Sequence, residues 1–296
     1  MRAVVTRTPG LVEVLEVATP QPAADQVRIH VEAATVNPAD GAVVAGIFAS
    51  LIHQLDHTGL GWDAAGTISA VGANVATTHP QLLVGARVAA LSGGFDKPLG
   101  ALAEELVVPA ADVALLPAGL DTTEAATVPL NSLTASLALG LLGEPAGTLL
   151  VTGAAGAVGG YALPLAFARG WEVVGLARES DRDFVGGSGA KLVTSLDGVT
   201  VDAVIDAASL GTAALGAVRD GGRLVSVNGP LSTERGIEVL SAQVRPDGAL
   251  LAELLARTVT GELPVRLDRT VAFDDITDAF ARVAEQGSRG RVVVLP

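Results

Sequence analysis

Gly153, Gly156 and Gly159 have the spacing of a turn that brings a backbone close to a diphosphate. The run from Thr148 to Thr152 just before them is apolar and β-branched, which predicts a buried strand. An apolar segment over 161–168 follows and predicts a helix. The glycines therefore lie where a strand turns into a helix, and at such a turn the backbone can approach an anion closely.

A second buried run over 171–177 completes a βαβ unit of about thirty residues. The N–H groups at the start of its helix, at the positive end of the helix dipole, are suited to bind phosphate. We therefore predict a dinucleotide site, against the alternative of a close-packed turn without a ligand. The residues assigned to the diphosphate are Gly153, Ala154, Ala155, Gly156, Ala157, Val158 and Gly159.

The end of the second strand indicates which dinucleotide binds. NAD sites carry an acid about 20 residues past the glycines, where it binds the ribose 2′-hydroxyl. Here no acid occupies the last strand position, and Arg178 offers a planar donor fork that suits a 2′-phosphate. We predict NADP(H), with Arg178, Ser180 and Arg182 as its candidate residues. Glu179 leaves NAD open, because a shift of one residue would bring its carboxylate to the ribose.

Composition limits the classes of protein and partner. The chain is 49% hydrophobic and 17% charged, as expected for a folded protein with a large buried core. Its 32 acidic and 19 basic residues give a net charge of −13, so we expect neither nucleic acid nor a membrane as partner. There is no cysteine, which excludes disulfides, thiolate catalysis and thiolate zinc ligands. Without a secretory layout or a long apolar run, a cytoplasmic location is expected.

The order of predicted elements indicates two domains. Short β-type runs separated by Gly and Pro cover 1–115, and 120–142 is predicted to be helical from a capping-box pattern at its start. Strands and helices alternate beyond the glycine turn, which favours a parallel sheet covered on both faces. Further strands are predicted at 191–194, 203–207, 223–227 and 291–295, and further helices at 248–260 and 275–286.

These motifs, in this order, resemble the medium-chain dehydrogenase/reductase superfamily, and in particular its zinc-free quinone oxidoreductase branch. The likeness covers nearly the whole chain. Its segments, besides the glycine turn, are VNPAD (36–40), GWDAAG (61–66), AVG (70–72), VGARV (84–88), AEELVVP (103–109), PLNSLTA (129–135) and GSRGRVVV (287–294).

The resemblance implies an α/β protein with two domains. Residues 1–118, completed by 266–296, would form a GroES-like β-rich catalytic domain. Residues 119–265 would form a Rossmann domain with a doubly wound parallel sheet. A homodimer is typical of the family.

The resemblance also implies site residues. Asn37 and Asp40 would lie at the mouth of the cleft, where Asn37 could offer its amide to a substrate oxygen. An equally supported alternative is that both only cap the turn at Pro38. Thr134 matches a threonine that packs beside the nicotinamide ring in relatives, and Asn131 lies one helical turn earlier. The alternative for this pair is a buried helix whose polar groups are satisfied within the fold.

Other candidates follow from the rule that ligands bind at the carboxyl ends of parallel strands. Asn228 and Gly229 follow one predicted strand, and Ala207 ends the strand before it. Arg291, on the C-terminal return strand, is a further candidate for the cofactor.

The chain departs from its zinc-dependent relatives in ways that bear on chemistry. Trp62-Asp63 stands where a zinc alcohol dehydrogenase would carry His-Glu, so we predict no metal. Phe48 stands where many relatives have a tyrosine that can donate a proton.

Hydride transfer requires little of a protein beyond placement, exclusion of water and stabilisation of developing charge. We therefore predict a zinc-independent, NADPH-dependent oxidoreductase acting on a small α,β-unsaturated carbonyl compound (enone) or quinone. An enoyl-thioester reductase is a second hypothesis. A nucleotide-binding protein without turnover, with a sensory or structural role, is a third.

Overall fold

The computed structural model describes residues 1–7, 10–53, 56–227, 229, 232, 235–285, 287 and 289–296. This chain divides into two compact units. The first comprises Met1–Leu130, Arg245–Gly261 and Val265–Pro296. The second comprises Asn131–Val244 and Glu262–Pro264. Residues 119–130 and 245–261 thus lie in the first unit, whereas the division drawn from the sequence placed them in the nucleotide domain.

The strands are β1 (Arg2–Thr6), β2 (Glu13–Glu16), β3 (Gln26–Val36), β4 (Thr58–Gly59), β5 (Asp63–Val71), β6 (Arg87–Leu91), β7 (Glu105–Pro109), β8 (Val113–Leu115), β9 (Thr148–Thr152), β10 (Glu172–Leu176), β11 (Lys191–Val193), β12 (Val201–Asp206), β13 (Val218–Ser226), β14 (Glu238–Ser241), β15 (Leu267–Ala272) and β16 (Arg291–Leu295).

The helices are α1 (Pro38–Val44), α2 (Val75–Thr78), α3 (Thr122–Ala125), α4 (Pro129–Leu142), α5 (Ala157–Arg169), α6 (Arg182–Gly187), α7 (Thr212–Gly216), α8 (Gly248–Val259) and α9 (Ile276–Ala284).

The first unit is built on β-sheets. A seven-stranded sheet has the order β15-β16-β3-β5-β6-β8, with β7 paired to β3, and a smaller sheet has the order β2-β1-β4. The long strand β3 pairs antiparallel with β5, β7 and β16, so it ties distant parts of the sequence together. Its alternating buried residues, among them Val27, Ile29 and Val31, enter one core with apolar residues of β5, β6 and β16.

The second unit is a parallel sheet with helices in its crossovers. Its six strands have the order β11-β10-β9-β12-β13-β14, and every pair is parallel. The central strands bury their apolar side chains, among them Leu150, Val204 and Leu224, which are fully buried. Buried, apolar strands are expected where helices cover a parallel sheet.

The structure corrects the predictions made for helices α5 and α4. Helix α5 begins at Ala157 rather than at 161, because Gly156 serves as its N-cap and the glycines of its first turn are helical. The predicted helix over 120–142 is interrupted after Ala125 and begins again at Pro129, whose missing N–H is tolerated in a first turn.

One segment, Thr122–Leu142, has the length and composition of a membrane span, although the sequence analysis expected none. It is 78% buried within the fold over its most apolar window, as a core helix is. This is weak evidence for a membrane span, since buried core helices meet the same criteria.

Candidate active site and nucleotide-binding site

The strand order of the second unit identifies its ligand-binding edge. From β9 the chain proceeds outward to β10 and β11 on one side, and from β12 outward to β13 and β14 on the other. Neighbouring strands β9 and β12 therefore flank the switch point, and ligands of such sheets bind outside the carboxyl ends at that point. The glycine turn leaves β9 at this place.

The glycine turn has backbone geometry that side chains would prevent. Gly153 has φ of +58°, and a Cβ on Gly159 would overlap the carbonyl oxygen of Gly153. A Cβ on Gly156 would come 2.9 Å from the same oxygen. The first intrahelical hydrogen bond runs from Gly160 N–H to Gly156 O, so the amides of 157–159 precede it and are oriented as an anion site requires. These residues fit a dinucleotide diphosphate.

Past the end of β10 lie the residues predicted to choose the cofactor. Arg178 is exposed, and its side chain has no ion-pair partner within the described ranges. Glu179, the acid that left NAD open, accepts two hydrogen bonds from Arg182, at 2.5 Å from Nε and 2.8 Å from Nη2. Those bonds hold the pKa of Glu179 below its usual range. Arg182 therefore contacts the competing acid, while Arg178 stays available.

Two further residues, which were not among the site candidates from the sequence, lie buried at this edge of the sheet. Thr152 and Asp206 end β9 and β12, are register partners, and are both fully buried. The Thr152 hydroxyl donates to Asp206 Oδ1 at 2.7 Å. A sequence signal existed, since an acid that closes the apolar run of β12 needs partners when it is buried.

In the first unit, Asp63 is the centre of a buried polar network. It is fully buried and accepts hydrogen bonds from Thr35 Oγ1 at 2.5 Å and Asn37 Nδ2 at 2.6 Å. Its other oxygen accepts from the N–H of Leu130, in the first turn of α4, at 2.5 Å. Burial raises the pKa of Asp63, and these donors together with the Arg291 charge oppose that rise.

Asp40 extends the network to the start of α1. Its carboxylate accepts from the Asn37 N–H at 2.9 Å and the Gly61 N–H at 2.7 Å. The Asn37 amide donates to Thr35 Oγ1 at 3.1 Å as well as to Asp63. Both amide hydrogens of Asn37 are thus used within the fold. These contacts favour the capping role of Asn37 and Asp40, and a substrate contact stays a prediction.

Lys97 is a third residue that was not among the candidates from the sequence. Its Nζ donates to Gly61 O at 2.9 Å and Ser92 O at 2.7 Å, and it lies 4.5 Å from the ring centroid of Trp62. Burial lowers its pKa to about 8, and burial raises that of Asp40 to about 6. The electrostatic attraction between the two groups opposes both shifts, but the effect of burial is larger for each group.

An aromatic cluster borders this network. Phe48 stacks on Phe95 with ring centroids 4.1 Å apart, and Trp62 meets the Phe95 ring edge-on at 5.1 Å. The chain has only six Phe, two Trp and one Tyr, so a third of its aromatic side chains lie here. The cluster presents planar apolar surface next to buried charge.

The structure places the remaining predicted residues as follows. Asn131 and Thr134 lie buried on α4, with partners within the fold, and Ala207 follows β12 at the switch point. Arg291 begins β16 and is buried in the first unit, while Gly229 follows β13.

Asn228 lies outside the described residues. The structure therefore brings together Asn37 with Asp40 in one unit, and Ala207 with the glycine turn in the other.

The residues present do not fit a zinc site of the alcohol dehydrogenase type. The sequence has no cysteine, and both carboxylate oxygens of Asp63 already accept hydrogen bonds. Within the described ranges, no group of three or more His, Asp or Glu side chains could hold a metal ion.

Comparison with known proteins establishes the family. Residues 23–118 match the alcohol dehydrogenase GroES-like domain family, and residues 170–294 match the zinc-binding dehydrogenase family. The chain is 30% identical to 2-methylene-furan-3-one reductase of Solanum lycopersicum, over 97% of this chain and 77% of that protein.

Similarity to one further protein and to one solved structure agrees with this family. An NADPH-dependent alkenal/one oxidoreductase, chloroplastic, of Arabidopsis thaliana is 29% identical over 100% of this chain and 80% of that protein. The structure of the quinone oxidoreductase from Coxiella burnetii matches with a TM-score of 0.89 and 22% identity, covering 100% of this chain and 99% of that one. This last likeness concerns the fold alone.

The chain belongs to the medium-chain dehydrogenase/reductase superfamily, with a GroES-like domain and a Rossmann-like parallel-sheet domain. It is an oxidoreductase of that superfamily, whose members use a nicotinamide cofactor. The predicted family and fold class are thereby confirmed.

Proposed function

We propose that this protein is a zinc-independent, NADPH-dependent reductase of small quinones or α,β-unsaturated carbonyl compounds, located in the cytoplasm. The observation that carries the proposal is the nucleotide edge of the second unit. There the glycine turn leaves β9 at the switch point, Arg178 follows β10, and Glu179 is held by Arg182. The names of the relatives from Arabidopsis thaliana and Solanum lycopersicum support the acceptor class.

Cofactor choice rests on the charges after β10. A 2′-phosphate adds negative charge to the adenosine ribose, and the planar guanidinium of Arg178 is suited to bind it. In NAD-preferring proteins a carboxylate at this end accepts from the ribose hydroxyl instead. The only acid next to Arg178 in sequence, Glu179, has both oxygens engaged by Arg182, so the competing contact is disfavoured.

A reduced nicotinamide bound at this edge would supply a hydride, which an enone accepts at its β-carbon. The α-carbon gains a proton, and the sum is an enone plus NADPH and one proton giving a ketone and NADP⁺. Residues 153–159 and Arg178 would bind and orient the cofactor. The buried carboxylate of Asp40 accepts from the backbone N–H groups of Asn37 and Gly61 and so positions this part of the first unit. The aromatic cluster of Phe48, Phe95 and Trp62 suits a flat conjugated acceptor.

The first test is titration of the purified protein with NADPH and with NADH, for the wild type and for Arg178→Ala. Loss of a charge-assisted contact worth about 1.5–3 kcal/mol should weaken NADPH by roughly 10- to 150-fold and change NADH little. Equal weakening of both cofactors would show that Arg178 does not bind the phosphate. Gly156→Val is the matched control, because it should abolish binding of both.

The second test is turnover. NADPH oxidation should be seen with at least one member of a broad panel of enones and quinones. Activity confined to crotonyl thioesters would favour the enoyl-thioester reductase. Tight NADPH binding without turnover of any acceptor would favour a non-catalytic sensor.

A further inference from the structure

Thr152 and Asp206 occupy a particular place in the second unit. They are the last residues of β9 and β12, the two strands that flank the switch point, and they pair with each other in the sheet register. Both side chains are fully buried. Burying a carboxylate costs free energy unless the group is hydrogen-bonded. The hydrogen-bond partners of Asp206 therefore indicate what the residue does.

The two side chains hold the loop that follows β12, residues 207–211. Asp206 Oδ1 accepts from the Leu210 N–H at 3.0 Å, and Oδ2 accepts from the Gly211 N–H at 2.8 Å. The Thr152 hydroxyl accepts from the Ala208 N–H at 3.0 Å while it donates to Asp206. Three backbone amides of one short loop are thus satisfied by two side chains on neighbouring strands.

The loop so held has an unfavourable backbone conformation and lies against the glycine turn. Ser209 has φ of +57°, a region that non-glycine residues rarely adopt and that costs free energy unless the surroundings impose it. A Cβ added to Gly153 would come within 3.2 Å of the Ala208 Cβ, so the two segments are in close contact. Moving the loop would therefore change the shape of the crevice beside the diphosphate turn.

We propose that Asp206 and Thr152 are positioning residues for the nicotinamide cofactor. They act through the 207–211 loop, which they fix against the glycine turn at the mouth of the crevice, and they are buried beneath the ligand edge. This inference rests on the proposed nucleotide site. It adds that cofactor affinity depends on a hydroxyl–carboxylate pair below that site.

The same two strands offer a matched control at their opposite ends. Asp202, on β12, accepts from the Thr148 N–H of β9 at 2.8 Å and from Arg219 Nε at 2.6 Å. It too is a carboxylate that joins β9 to β12, but it lies toward the amino ends, away from the ligand edge. Asp202→Asn should therefore cost stability without changing cofactor affinity.

The experiment measures NADPH and NADH dissociation constants and melting temperatures for wild type, Thr152→Val, Thr152→Ser, Asp206→Asn and Asp202→Asn. Thr152→Val keeps the side-chain shape but loses the hydroxyl, and Asp206→Asn places an NH₂ group where N–H donors were accepted. Each of these two variants should raise the dissociation constants about 10- to 100-fold. Within each variant, NADPH and NADH should be weakened to the same extent. Thr152→Ser, which keeps the hydroxyl, should restore near wild-type affinity.

Each outcome decides between the alternatives. If Thr152→Val and Asp206→Asn lower the melting temperature but bind both cofactors as tightly as wild type, the pair is merely structural and the inference is wrong. An Asp202→Asn variant that loses affinity to the same extent would also overturn it. Should Asp206→Asn fail to fold, the Thr152→Val and Thr152→Ser pair decides alone. If the wild-type protein binds neither cofactor, the proposed function itself has failed.

Discussion

Asp63 in the first unit and Asp206 in the second are both fully buried, and the same kinds of donor satisfy both. Each accepts one threonine hydroxyl, from Thr35 and Thr152 respectively, and N–H groups besides. The difference lies in where those N–H groups come from. Asp206 binds amides four and five residues ahead of it, whereas Asp63 binds the side chain of Asn37 and the amide of Leu130, far away in sequence.

The difference indicates two uses of a buried carboxylate. Asp206 fixes one short loop at a ligand edge, so its effect is local and should appear in cofactor binding. Asp63 joins β3, β5 and the start of α4. Through Asn37 it is connected to Asp40, whose pKa the charge of Lys97 also affects. The first network therefore holds the scaffold of its unit together and also contains charges that titrate with unusual pKa values.

The Asp63→Asn substitution should have the largest effect on the stability of the protein. The amide cannot accept from all three donors, so buried donors lose their partner and the first unit should lose about 3–5 kcal/mol of unfolding free energy. The chain has two tryptophans, Trp62 in the first unit and Trp171 in the second. Urea unfolding followed by Trp62 fluorescence in a Trp171→Phe background measures the first unit alone. A loss below about 1 kcal/mol would contradict the central role of Asp63.

A second, smaller effect concerns pH. Burial raises the pKa of Asp40 from 3.8 to about 6, so the folded state binds this proton more tightly than the unfolded state does. Its contribution to stability is therefore full below about pH 4 and is lost, by roughly 3 kcal/mol, as the pH rises to about 6. For Lys97, whose pKa is lowered from 10.5 to about 8, stability instead rises with pH between those values.

The measurement is the difference in unfolding free energy between wild type and Asp40→Asn at several pH values from 4 to 7. Other titrating groups contribute slopes of their own, among them Asp63, whose pKa is also raised by burial. The difference between the two proteins removes these shared contributions. The wild type should lose stability relative to the variant as the pH rises through this window. Parallel curves would show that Asp40 titrates normally.

The smallest expected effect comes from removing the threonine hydroxyl in each network. Thr35→Val and Thr152→Val each remove one hydroxyl that donates to a buried carboxylate, and each should cost its own unit about 1.5 kcal/mol of stability. Only Thr152→Val should change the cofactor dissociation constants. Equal cofactor effects from both variants would remove the distinction drawn between the two networks.

The sequence alone predicts the elements whose signal is local. The apolar runs of β9, β10 and β12 and the glycines between them indicated the Rossmann-like unit, because strand pattern and turn chemistry agree there. Helix α1 was missed, since its seven residues begin at Pro38, include Gly41 and show no clear helical period.

The polar networks depend on long-range contacts, which no local pattern contains. Asn37 and Asp63 are 26 residues apart, and Thr152 and Asp206 are 54 apart. Lys97 stands in a loop of glycine, proline and aromatic residues that gave no indication of its partners. The resemblance to a family named Asn37 and Asp40 as cleft residues, but only the structure shows that their hydrogen bonds are made within the fold.

The position of β16 has a consequence for the order in which this protein is assembled on the ribosome. Strand β16 lies between β15 and β3, so the large sheet of the first unit lacks an interior strand until residues 291–295 have been synthesised. The stretch 131–244 of the second unit, by contrast, is continuous and is available much earlier. During translation the second unit should therefore fold first. Until residues 291–295 have been synthesised, the edge of β3 that pairs with β16 stays unpaired and accessible to chaperones.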